Sequence, residues 1–181
     1  MIYPDSSGKS TQVKLLTERL RWQGLKVLSE EVPFKGLLKK TIYWMLKTEY
    51  AKKYPTAFQL LHFLNRWIWQ KFILPFQRRR YDVLILGRWS LSSMIYGSLE
   101  GVSPKLLDLL KKQLLTPDMT FILNGERFKR SQKNDTYEAD DKLQKNVCQM
   151  YDEMTRNCPK EANVHHVKNF NATPREITSY M

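Results

Sequence analysis

The chain opens "MIYPDSSGKSTQ" (residues 1–12), and Ser7-Gly8-Lys9-Ser10-Thr11 within it has the form of the closing half of a phosphate-binding loop. In such a loop, backbone N–H groups at a helix N-terminus surround phosphate oxygens, a lysine reaches the terminal phosphates and the next hydroxyl holds magnesium. Gly8 allows close backbone approach, and Lys9 and Ser10 fit the other two parts. Downstream, Val13, Leu16 and Leu20 recur at helical spacing and Gly24 is a good terminator, so the motif opens an amphipathic helix as it should. Its other half is irregular. A complete loop begins with a glycine where this chain has Tyr3, and it follows a buried strand that is almost entirely absent here.

Beyond that helix, the pattern alternates between strands and helices. Strands are expected at "KVLSE" (26–30), "YDVLILG" (81–87), "MTFILN" (119–124) and "NVHHV" (163–167). The second is a nearly continuous apolar run, as in a strand covered on both faces. Between them, Pro55 to Gln77 reads as one long amphipathic helix with Leu60, Leu61, Leu64, Trp67 and Ile68 on one face. Ser103-Pro104 opens a helix with Leu106, Leu107, Leu110 and Leu114 inward. Leu143, Val147, Met150 and Met154 mark another, and Thr173-Pro174-Arg175-Glu176 is a capping-box start for a closing helix. Strands separated by helices predict an α/β domain with a parallel sheet and helices on both faces.

Composition narrows the function. The 181 residues suffice for one domain with a sizeable core, and 42% apolar content is that of a globular chain. No apolar run reaches the roughly 18 residues of a membrane span. The N-terminus turns polar by its fifth residue, so no signal peptide is expected. Two cysteines, Cys148 and Cys158, predict free thiols in a reducing, cytoplasmic setting. His62, His165 and His166 form no metal-ligand spacing. A net charge of +12 favours anionic partners, either phosphorylated small molecules or nucleic acid, with a solubilising surface as the plainer account.

Several motifs, taken in order, resemble the thymidylate kinase family. "DSSGKSTQ" with its helix resembles the family's loop. "LLHFLNRWIWQ" (60–70) resembles the helix that receives the nucleoside monophosphate, and "VLILGRWSLSSMIYG" (83–97) the strand ending in Asp-Arg-Tyr with a following serine and aromatic. "TPDMTFIL" (116–123) resembles the strand after a Pro-Asp pair, and "ERFKRSQKNDTYEA" (126–139) lies where the family has its lid, taken as approximately 126–138. The resemblance spans nearly all of the chain, which is read as a single domain, 1–181.

The resemblance implies a P-loop-type parallel sheet, ATP and Mg2+ as cofactors, and phosphorylation of dTMP to dTDP in deoxynucleotide biosynthesis. By position, Ser7, Gly8, Lys9, Ser10 and Thr11 would hold ATP, with Ser10 on magnesium. Asp5 would approach the acceptor sugar hydroxyl, and Arg88 would neutralise the oxygens of the transferring group. Arg66 would grip the acceptor, with His62 or Phe63 stacking on its base and Ser92 and Tyr96 lining the pocket. The family's compensating arginine lies either in the loop or in the lid. Ser6 occupies the loop position, so the lid must supply it through Arg127 or Arg130. A homodimer is compatible with this reading, a membrane partner is not expected, and a nucleic acid partner is not expected either, though the basic charge leaves it open.

The chain also departs from the family. Besides Tyr3 and the absent first strand, Gly87 replaces the aspartate of Asp-Arg-Tyr, and Glu31-Val32-Pro33 replaces Arg-Glu-Pro, so an acceptor-phosphate arginine is missing. That first strand is central in the family's sheet, so its loss would expose two unpaired edges. A sequence incomplete at its N-terminus, or a degenerate copy with impaired activity, is therefore expected. The rival readings are another deoxynucleoside monophosphate, nucleoside or polynucleotide kinase, and a non-catalytic nucleotide-binding homologue.

Overall fold

The computed structural model describes residues 9–124, 140–157 and 164–168. Helix α1 (Lys9–Trp22) leads to strand β1 (Val27–Glu31). Helices α2 (Leu37–Lys47), α3 (Tyr50–Lys53) and α4 (Pro55–Ile68) follow, and α4 runs through a π-helical turn (Trp69–Ile73) into α5 (Leu74–Arg78). Then come β2 (Val83–Gly87), α6 (Ser90–Leu99), α7 (Pro104–Lys112), β3 (Thr120–Asn124), α8 (Asp141–Asn157) and β4 (Val164–Lys168). All four expected strands are present within two residues of their expected limits.

Their pairing differs from a single sheet. β1 pairs parallel with β2, Val27 opposite Val83, and β3 pairs parallel with β4, Thr120 opposite Val164, as two separate two-stranded sheets. Among the described residues no strand links β2 to β3, although Ile85 and Leu123 share one apolar cluster with Leu16 of α1 and Val27. Side-chain alternation sorts the faces. Val83 and Ile85 pack towards α1, while Leu84 and Leu86 join Val32, Phe34, Trp69, Leu74, Trp89 and Leu114 on the opposite face. In β3, Phe121 and Leu123 belong to the α1 side, and Ile122 to a third cluster with Ile42, Phe58, Ile95, Val147 and Tyr151. Helices therefore cover both faces.

Helix α4 corrects a simple reading of its apolar stripe. Leu60, Leu64 and Ile68 lie outward, each about 40% exposed, while Phe58, Gln59, Asn65 and Arg66 are buried. Leu61 and Trp67, from the same expected face, are only partly buried against the core. Burying a polar face costs free energy unless partners satisfy it. Asn65 has them: its Oδ1 accepts from the Phe34 N–H at 2.8 Å and its Nδ2 donates to the Phe34 carbonyl at 3.1 Å. That clamp fixes the chain leaving β1, and Phe34 then stacks on Trp69 at 4.2 Å. In α7, Leu107 and Leu114 are buried as expected, and Pro104 takes the first turn, but the Ser103 side chain makes no capping hydrogen bond. The closing helix expected from Thr173 lies outside the described residues.

Candidate functional site

The direction of α1 places the phosphate-loop helix. Arg21, in its last turn, donates to the Val27 carbonyl at the start of β1 at 2.9 Å. Helix α1 therefore runs back along β1 and β2, and its first residue, Lys9, lies at the carboxyl ends of the strands. Open α/β sheets bind ligands at that edge. The first turn of α1 carries no acidic residue, which leaves its positive dipole end unopposed. Ser10 and Thr11 are exposed there. Asp5, Ser7 and Gly8, with Tyr3, lie outside the described residues, as do Arg127, Arg130 and the rest of the expected lid.

Arg88 follows β2 at the same edge. Its φ is +65°, a left-handed conformation uncommon for a residue with a side chain. Such strain persists where surrounding contacts dictate it, often at functional sites. Trp89, immediately after it, is buried, and its indole N–H donates to the Leu115 carbonyl at 2.8 Å. That bond anchors the turn on which Arg88 is displayed.

Arg66 enters the neighbourhood from α4. Its guanidinium is 3% exposed, and its Nη1 donates to the Ser93 hydroxyl at 2.7 Å. Its buried Nε has no hydrogen-bond partner, and no carboxylate pairs with it among the described residues. Burial lowers its pKa from the ordinary guanidinium value to about 10. Burying a cation this way is costly unless an anion meets it. His62, one turn earlier, packs edge-on against Phe58 at 4.7 Å, and its Nδ1 is buried without a partner. Burial first, and the Arg66 charge second, hold His62 well below its usual pKa, so it is neutral. Phe63 packs towards the Trp69 and Trp89 cluster and lines one crevice together with Arg66. Both stacking candidates thus lie near Arg66, His62 within reach of its charge and Phe63 beside it in the crevice.

The α6 residues meet α8. Ser92 Oγ is 3.3 Å from the Tyr151 hydroxyl, and Gln144 Nε2 donates to the Tyr96 hydroxyl at 3.5 Å. Ser92, Tyr96, Gln144 and Tyr151 are all buried. Tyr151 ties the groups together. Burial raises its pKa first of all, the Ser92 hydrogen bond lowers it, and the charges of both Arg88 and Arg66 are felt at its hydroxyl. Arg66, Arg88, Ser92 and Tyr96, far apart in sequence, therefore share one polar neighbourhood. Tyr151 and Gln144 belong to it without having been singled out in the sequence. Their only signal is the helical spacing Gln144–Val147–Tyr151, the most buried line of α8, with Leu143 and Met150 partly buried beside it as expected. A crevice between α4, α6 and α7, lined by Gln59, Arg66, Ser90 and Ser93, holds only about 10 Å³, room for one water.

Parallel strands under helices, with the start of α1 and Arg88 at the carboxyl edge, define an α/β domain. The comparisons narrow the class. The thymidylate kinase family profile matches residues 4–175, and the chain belongs to that family. It is 26% identical over 146 residues to a probable thymidylate kinase of Sulfurisphaera tokodaii, covering 77% of this chain and 70% of that protein. It is 29% identical over 122 residues to a thymidylate kinase of Methylococcus capsulatus, covering 65% and 58% respectively. The fold superposes on thymidylate kinase from Candida albicans with a TM-score of 0.73 at 22% identity, over 99% of this chain and 86% of that one. The Ehrlichia chaffeensis thymidylate kinase gives 0.69 at 20% identity, over 99% and 93%.

Proposed function

We propose that the protein transfers the γ-phosphoryl group of ATP to dTMP or a closely related deoxynucleoside monophosphate. The observation that carries this reading is Arg66: a buried guanidinium with, among the described residues, a serine as its one hydrogen-bonding side chain, beside Arg88, Ser92 and Tyr96. An acceptor nucleotide supplies the polar groups that such a cation lacks.

In this reading Lys9 and the first N–H groups of α1 hold the terminal phosphates of ATP, with Ser7, Gly8 and Thr11 completing the cradle. Magnesium takes few protein ligands and completes its shell with phosphate oxygens and water. The exposed Ser10 hydroxyl at the helix start suits that demand, and among the described residues no cluster of three or more His, Cys, Asp or Glu competes for the ion. Bound magnesium supplies charge neutralisation at the β- and γ-phosphates. Arg88 neutralises the oxygens of the transferring group. Arg66 holds the acceptor, His62 lies against its base, and Tyr96 excludes a ribose 2′-hydroxyl. Asp5 orients the acceptor sugar, and Arg127 or Arg130 closes over ATP. A Cβ on Gly87 would meet nothing nearer than the Glu31 Cγ at 3.6 Å, so an aspartate has room there, beside another acidic side chain.

A homodimer fits the outer face of α4. Leu60, Leu64, Ile68, Phe72 and Phe76 recur every fourth residue through the π-helical turn into α5, and each is 38–62% exposed. A continuous apolar stripe of this kind marks an interface, and a second copy meets it isologously.

The kinase reading is tested by a coupled assay for ADP release with each deoxynucleoside monophosphate in turn. Turnover with dTMP is expected, and Lys9→Ala should lower it 10²–10³-fold, the usual effect of removing one contact to transferring charge. Binding of dTMP by calorimetry without ADP release from any acceptor would instead favour the non-catalytic homologue.

A further inference from the structure

Helices α2 and α3 have two faces of opposite character. Inward, Ile42 and Ala51 are fully buried and Met45 nearly so, joining the core beside Phe58 and Val147. Outward, Trp44, Tyr50 and Tyr54 are each about half exposed and form a row. The Trp44 and Tyr50 rings are 4.9 Å apart and tilted 32°, and Tyr50 and Tyr54 are 5.9 Å apart and tilted 27°. Lysines border the row. Lys39 Nζ lies 5.6 Å over the Tyr43 ring and Lys53 Nζ 5.5 Å over the Tyr54 ring. Lys40 and Lys47 are exposed on the same two helices, and Glu49 is the one acidic residue between 39 and 53. This face uses neither the apolar stripe of α4 nor any residue assigned to the nucleotide site.

We propose that this face binds single-stranded nucleic acid. Exposed bases stack on aromatic side chains whatever their sequence, while cations track the phosphates. Both parts are present here, in a chain of net charge +12. The ammonium groups of Lys39 and Lys53 rest on ring faces. Phosphates draw them away, and bases take the uncovered faces. A lipid surface fits less well, because the aliphatic side chains Ile42 and Met45 point inward and three of the four outer aromatics are tyrosines whose hydroxyls prefer water. A duplex fits less well because its bases are already stacked.

The test measures fluorescence anisotropy of a labelled oligodeoxycytidylate on the full chain, with dTMP present in excess to occupy the acceptor cleft. Binding should weaken with salt, its logarithmic slope being about −0.7 per phosphate contacted. Trp44→Ala with Tyr50→Ala should weaken binding about tenfold or more and leave the salt slope unchanged. Lys39→Gln with Lys53→Gln should flatten the slope by about 1.4. Circular dichroism checks that both double variants fold. Four outcomes overturn the proposal: no binding at low salt, unchanged affinity in the folded aromatic variant, equal affinity for duplex DNA or inorganic polyphosphate, and binding confined to phosphatidylserine vesicles.

Discussion

Replacing Arg66 with methionine should make the ligand-free protein more stable and the liganded protein weaker. The guanidinium is 3% exposed, and burial lowers its pKa from the ordinary guanidinium value to about 10. At about 1.4 kcal/mol per pH unit, that fall corresponds to roughly 3 kcal/mol of cost in holding the charge inside. Arg66 is charged in the folded and unfolded chain at neutral pH, so the whole cost applies below about pH 10 and is relieved only as pH rises through the folded value towards that of a free guanidinium. Methionine keeps most of the volume and removes the charge. The lost bond to Ser93, a hydrogen bond to a charged group, offsets about 1.5 kcal/mol or more. The net gain is about 1–2 kcal/mol, in the range seen when apolar residues replace buried ions. For a chain of this size it should raise Tm by about 2–8 °C. Differential scanning calorimetry with and without dTMP reads both halves. Saturating dTMP, at about a hundred times its Kd, should stabilise the wild type by about 2.7 kcal/mol and the variant far less. A lower Tm for Arg66→Met without ligand would falsify the reasoning, because Arg66 would then be holding the fold together. An undiminished dTMP response in the variant would remove Arg66 from the acceptor site.

Other expectations follow from single residues. Asn65→Ala strands a buried N–H and carbonyl of Phe34 and should cost about 2–4 kcal/mol, read as a lower urea midpoint. Stability should fall as pH drops below 6.5, by up to about 1.4 kcal/mol per pH unit from His62, since the unfolded chain takes up a proton that the folded one excludes. Thermal melts from pH 7.5 to 5.5 on wild type and His62→Gln check this, and an identical slope in both would refute it. In Gly97→Ala the new Cβ lies 2.8 Å from Leu107 Cδ2 and 3.3 Å from Gln59 Cγ, so crowding between α6 and α7 should outweigh the better helix propensity and cost about 1 kcal/mol or more in denaturant titration. Gly87→Asp should fold as the parent does and raise ADP release. Unchanged turnover would mean that this position takes no part in organising the metal. Phe72→Glu should convert a dimer to a monomer in light scattering, and a parent that is already monomeric would refute the dimer.

Local patterns were legible without coordinates wherever one residue's chemistry decided its place. The apolar run of β2 has no other stable setting than between two layers. Gly24 and Pro104 mark helix limits through their own backbone geometry. Arg66 and Arg88 stand out because a charge beside a buried segment is costly without an anion. What periodicity cannot decide is which way a face turns. The leucines of α4 repeat as regularly as those of any inward helix, yet Leu60, Leu64 and Ile68 face out, because Asn65 and Arg66 on the other side find Phe34 and Ser93. Gln144 and Tyr151 read as ordinary helix positions until α8 is laid against α6, where their hydroxyl and amide groups meet Tyr96 and Ser92. The row of aromatics on α2 and α3 is equally invisible in sequence, since Trp44 and Tyr50 stand on different helices and meet only where the turn between them brings their rings to 4.9 Å. The difference is physical: propensity and burial cost belong to single residues, whereas the satisfaction of a buried polar group depends on partners that only the packed chain brings within reach.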